Sequence, residues 1–193
     1  MAISFGQERA NMELSRNNCE RGLTMRAVLT IALLMLGAAP AWAAEEPVGC
    51  DKFKWNIERE RAALTAPDRT RLASGGELAA PPSTGITLDL RTPAEAKLPS
   101  PPERAPKEGT FAGFVTFKNA LPPGRYTISL SASGWIDVAQ DGQFLKSITS
   151  SGVRECEGIR KSVKFEIPAK PFVIQISGIE ANSISLAIMP ASE

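Results

Sequence analysis

Beyond residue 85, apolar and polar positions alternate with a period of two. In "ITLDLR", Ile86, Leu88 and Leu90 fall on one face and Thr87, Asp89 and Arg91 on the other, which is the pattern of a strand with one buried side. The same rhythm returns in "RYTISLSAS" (Tyr126, Ile128, Leu130), "SVKFEIP" (Val163, Phe165, Ile167) and "SISLAIMP" (Ile184, Leu186, Ile188), with "TFAGFVTFKNA" and "PFVIQISG" as further strands. "GWIDVAQDGQFLKSI" holds two apolar segments separated by Asp141-Gly142, a pair that accepts the positive φ angles of a tight hairpin. Strands of this length joined by short turns predict a mainly β fold. The expected architecture is a single antiparallel β-sandwich over residues 86–193, jelly-roll-like with about eight strands, with an open Greek-key barrel as the alternative.

The chain before residue 86 has a different texture. "CDKFKWNIERERAALTAP" places Phe53, Ile57 and Leu64 among charged residues and ends at Pro67, which predicts a short amphipathic N-terminal helix with Asn56 as its cap. Trp55 is expected to anchor this segment on the sheet. From Pro67 to Gly85 small and turn-forming residues prevail, and no element is predicted, so 44–85 reads as a helix followed by irregular chain. The proline-rich "TPAEAKLPSPPERAPKEG", residues 92–109, cannot sustain a ladder of hydrogen bonds and is expected to cross the surface as extended chain.

Residues 25–43 change the picture of the mature product. A basic residue at Arg26, an apolar run and the triplet Ala41-Trp42-Ala43 have the layout of a secretory signal peptide cleaved after Ala43. The run is too short and interrupted to span a bilayer, so no integral membrane segment is expected after cleavage. Residues 1–24 are polar and unlike an export signal; translation is expected to begin at Met25, leaving 1–24 untranslated or disordered. The four Arg and three Glu before residue 44 leave 18 basic and 18 acidic residues from totals of 22 and 21. Such a balance gives no basic stripe for nucleic acid and no cationic helix for a lipid surface. Cys50 and Cys156 remain in a periplasmic or secreted location, where thiols are oxidised, and are expected to pair. Acylation of Cys50 is the rival reading, but Glu45 and Glu46 separate it from the apolar run.

The stretches "PPGRYTISL", "GWIDVAQDG" and "VKFEIPAKPFVIQISG", within residues 110–189, resemble bacterial prepeptidase C-terminal domains and similar carbohydrate-binding-like β-sandwiches. That resemblance implies a non-catalytic binding or maturation role, although no enzyme is attached here. The overall pattern also resembles small exported proteins of Gram-negative bacteria.

Candidate chemistry is bounded by the absence of histidine. Without imidazole there is no Ser-His or Cys-His dyad, no His-ligated zinc and no two-His-one-carboxylate iron site. Nucleophile-elbow, phosphate-loop and dinucleotide-binding motifs are also missing. No catalytic residue, metal site or cofactor is therefore expected. Carboxylates alone could still cleave glycosides, with Asp137 paired to Asp141 or Glu166, and this defines the alternative of a histidine-free hydrolase. The candidate ligand-binding residues are Trp135 and Asp137, an aromatic beside a carboxylate suited to a sugar or peptide, and Arg160 in the loop around Cys156. The expected role is a non-catalytic exported binding or accessory protein for an envelope glycan or a protein partner, with a structural envelope component as a further alternative.

Overall fold

The computed structural model describes residues 45–192; the expected signal peptide at 25–43 and the polar stretch 1–24 lie outside the described residues. The chain begins with a single 3-10 turn, Cys50–Lys52, and an irregular approach to helix α1, Glu58–Thr65. Strands β1 (Thr70–Ala73), β2 (Gly76–Leu78) and β3 (Ile86–Asp89) follow, then a one-turn helix α2 (Pro93–Ala96). Next come β4 (Phe111–Phe117), β5 (Gly124–Leu130), β6 (Trp135–Gln140) and β7 (Gln143–Phe144). The remainder is β8 (Ser147–Gly152), β9 (Lys161–Ile167), β10 (Phe172–Ile179) and β11 (Ser183–Pro190).

These eleven strands form two sheets, ordered β1-β3-β11-β5-β9-β8 and β2-β4-β10-β6-β7. The mainly β expectation holds, but two of its details do not. There are more than eight strands, and the sheets are mixed, because β1 pairs with β3 and β2 with β4 in parallel. Both parallel strands lie in the stretch read as irregular. One run of chain serves both sheets: it leaves β1, turns at Gly75 with φ 87°, and enters β2. Ser74 N–H donates to the Asp89 carbonyl in one sheet and Gly75 N–H to the Phe114 carbonyl in the other. Such short strands carry too few residues to display alternation.

Inward rows from both sheets make one core. Ile86, Leu88, Val115, Phe117, Ile128, Leu130, Phe165, Phe172, Ile174 and Leu186 are among its fully enclosed side chains, and the Phe117 and Phe172 rings stack with centroids 4.8 Å apart. Burying each large aliphatic or aromatic side chain contributes roughly 1.5–3 kcal/mol before conformational entropy is subtracted. The Asp141-Gly142 hairpin forms as expected, with φ 51° and 75° and Gln140 paired to Gln143.

A second, smaller core lies on the outer face of the six-stranded sheet, where Phe53, Ile57, Ala63 and Leu64 meet Val153, Ile159 and Ala187. The helix is shorter than the sequence spacing predicts, since Phe53 and Ile57 belong to the irregular chain that leads into it. Asn56 nevertheless serves its start, its Oδ1 accepting from Glu58 N–H at 2.9 Å. Trp55 packs on this core beneath Lys164, whose Nζ lies 4.7 Å from the ring centroid. Cys50 and Cys156 form a disulfide, Cα atoms 4.9 Å apart, that fastens the segment to the β8–β9 loop. Among the described residues no helix is long and apolar enough to cross a membrane.

Candidate functional site

Trp135 and Asp137 are two residues apart on β6 and point to its outer side, while Ile136 and Val138 enter the core. They meet: the indole Nε1–H donates to Asp137 Oδ1 at 2.6 Å, and Oδ2 accepts from Glu103 N–H at 3.3 Å. Glu103 belongs to the proline-rich crossover, which lies over this face rather than running free. Neighbouring Gln175 on β10 holds the crossover three residues upstream, with Oε1 accepting from Ser100 N–H and Nε2 donating to the Ser100 carbonyl, at 2.9 and 3.0 Å. Asp137 and Gln175 are consequently buried at 3% and 1% exposure, and the crossover, not the N-terminal helix, covers them. Burial pushes the Asp137 carboxyl above its ordinary range, opposed by its two N–H donors and by Lys161, while the Glu103 carboxylate adds to the rise.

Arg160 does not join this group. Its guanidinium pairs with Glu46 at 3.0 Å, and that bond draws the Glu46 carboxyl below its usual range. The next residue takes the place beside the tryptophan: Lys161 Nζ sits 5.1 Å from the Trp135 ring centroid and donates to the Gly134 carbonyl. Burial lowers the Lys161 ammonium, reinforced by Arg104, which lies 5.8 Å from the same ring. The reason is strand parity. Lys161 shares the side of Val163 and Phe165, whereas Arg160 faces the N-terminal segment. The cavity at Trp135 and Lys161 holds about 70 Å³, the bulk share of roughly two water molecules and far below a sugar ring's need.

The carboxylate pairs considered for hydrolysis are not assembled. Asp137 and Asp141 are separated by four residues of β6 and its turn, roughly 13 Å at strand rise, and Asp141 is paired with Lys170 at 2.7 Å. Glu166 is exposed and pairs with Arg125. Among the described residues no three Cys, Asp or Glu side chains gather in a way that could hold a metal ion.

A much larger concavity lies elsewhere and was not signalled by any motif. An open cleft of about 780 Å³ runs between α1, the β2–β3 loop, the β4–β5 turn and the end of β11. Ala62, Ala63 and Ala66 form its helical wall, Pro81 and Pro82 the opposite wall, and Tyr126 and Ile188 part of its floor. The Tyr126 hydroxyl donates to the Pro122 carbonyl at 2.8 Å and fixes the turn that closes one end. Arg59 is the one charged residue of the lining, and it makes no ion pair among the described residues. The sequence does carry a faint cue, since α1 presents alanines where leucines would fill the space. No family model, curated protein or solved structure matches this chain.

Proposed function

We propose that the mature chain is an exported, non-catalytic binding or accessory protein whose ligand occupies the apolar cleft. The observation that carries this reading is the cleft itself, about 780 Å³ with a mainly apolar lining, a few hydroxyl groups from Ser83, Thr84 and Tyr126, and a single cation. Volumes of roughly 300–1,000 Å³ with few polar groups are typical of ligand sites. Periplasmic or secreted location is supported by the leader pattern and by the Cys50–Cys156 bridge, which persists in oxidising compartments. A jelly-roll-related sandwich is supported by the single core that both sheets line. On this view β1 and β2 are additions at one edge. The resemblance to prepeptidase C-terminal domains favours the same non-catalytic role. A glycan at Trp135 and Asp137 would first have to lift the crossover, because the carboxylate is engaged by the indole and by Glu103.

The test is a thermal-shift and co-sedimentation comparison of purified protein against lipid, glycan and protein fractions of the envelope. A ligand of the cleft is lost on Ala62→Trp, which places a large ring into the gap from an exposed position, and is retained by Trp135→Ala. The opposite result moves binding to the β6 face. Turnover of any bound component would remove the non-catalytic assignment.

A further inference from the structure

The lining of the cleft narrows the ligand to one chemical class. A peptide strand laid into a groove needs a row of backbone donors and acceptors, but Pro81, Pro82, Pro122 and Pro190 supply no N–H. The ladder between β11 and β3 ends at the pair Leu186–Ile86, so Ile188 is the next β11 position on that side and Pro190 the one after it. An added strand would find a single station there, where strand addition depends on several. A hydrocarbon chain requires none. The one charged group at the wall is the Arg59 guanidinium, exposed and unpaired among the described residues; Glu58 and Glu60 are on the same helix but outside the lining.

Resting on the reading of the cleft as the binding site, we infer that it takes a single-chain carboxylic amphiphile, a long-chain fatty acid, with its tail against the alanine and proline walls and its carboxylate at Arg59. The geometry suits an unbranched tail. The helical wall is smooth because its residues stop at Cβ, and the facing prolines are held rigid by their rings. Arg59 offers a planar fork of donors that matches a carboxylate.

Displacement of a fluorescent fatty-acid probe, with saturated acids of 8 to 16 carbons as competitors, measures this on the purified protein. Each added CH2 that is buried should tighten binding by about 2- to 4-fold until the cleft is filled. The methyl ester should bind about 2- to 5-fold more weakly than the acid, and Arg59→Glu should weaken the acid at least as much while leaving the ester unchanged. Ala62→Trp should shorten the chain length at which affinity saturates; Ser83→Trp, on the facing wall and also exposed, provides the same readout if the first variant folds poorly. Affinity independent of chain length, or equal for acid and ester, overturns the fatty-acid assignment. If the acids fail while an envelope component still binds the parent protein and is lost on Ala62→Trp, the ligand class falls and the cleft reading stands. If acids bind with the same chain-length limit in both filled variants, the cleft is not the site and both readings fall.

Discussion

Replacing Cys50 and Cys156 together by alanine removes a bridge between residues 106 positions apart, and its effect can be worked out from that separation. In the chain-entropy account, closing a loop of this length restricts the denatured chain by about 4–5 kcal/mol at 25 °C. The native state should change little. The joined segments keep two backbone hydrogen bonds, Gly49 N–H to the Arg154 carbonyl and Arg154 N–H to the Pro47 carbonyl, at 2.9 and 2.7 Å. The ion pairs Glu45–Arg154 and Glu46–Arg160 also survive, although exposed pairs add little. Most of the loss therefore arises in the denatured state. Urea unfolding followed by tryptophan fluorescence should show a fall in stability of about 3–5 kcal/mol and a steeper denaturant dependence, because the unlinked chain expands further. For a domain of this size the melting temperature should drop by about 10–18 °C. A loss below about 1 kcal/mol, with unchanged denaturant dependence, would refute the reasoning and mean that the N-terminal layer stays near the β8–β9 loop even when unfolded.

Three further outcomes follow from individual residues. Gly85→Ala would place a Cβ 2.6 Å from the Ala63 carbonyl oxygen and 3.1 Å from that of Leu186, both backbone atoms, so urea denaturation should register a loss of about 1–3 kcal/mol as α1 is pushed from the sheet. Trp135→Phe removes the indole donor from the buried Asp137 carboxylate and should cost about 1–3 kcal/mol, with faster hydrogen exchange at the Glu103 amide than at amides of the core strands. The Asp137 carboxyl titrates above its ordinary 3.8 in the folded state, so the folded chain holds this proton more tightly than the unfolded one. Its contribution to stability is then fully present below that value and declines as pH rises through the raised folded value. Asp137→Asn should abolish this component, and a wild-type minus variant stability difference that grows with pH would contradict it.

The inner rows were legible because a period of two reports burial directly. Ile86 and Leu88, Ile128 and Leu130, Val163, Phe165 and Ile167, and Ile184, Leu186 and Ile188 are all buried. The hairpin was legible because Asp-Gly has a local conformational reason to be there, and the cysteine pair because only two of the three cysteines lie beyond residue 43. Elements that depend on distant partners were not. β1 and β2 are short and pair in parallel with strands reached only through the fold. The i, i+4 spacing of Phe53 and Ile57 imitates a helix although both residues precede α1 in non-helical chain, where the second core captures them. At the candidate site, the common face of Trp135 and Asp137 could be read from their spacing, but their cover could not. Arg160 was separated from Lys161 by one step of strand parity, which decides the side a residue takes once β9 is in register.

The two outer faces are covered by different means, and that difference separates what holds the N-terminal layer on from what holds the cleft open. The crossover lies on the five-stranded sheet through side chains of Gln175 and Asp137, bonds that can open locally. The N-terminal layer is held covalently as well as by an apolar core. Its helix forms one wall of a cleft that hydrophobic contact alone would tend to close, since alanines leave the gap. Movement of α1 toward the loop at 81–84 is opposed by its backbone tie to the sheet, where Gly85 N–H donates to the Ala63 carbonyl at 3.0 Å, and by the anchored segment upstream. Cleft width is therefore set by the packing of Gly85 against Ala63 and by the small core under α1, so removal of the disulfide, which acts mainly on the denatured chain, should lower stability while leaving the affinity of a cleft ligand close to that of the parent protein.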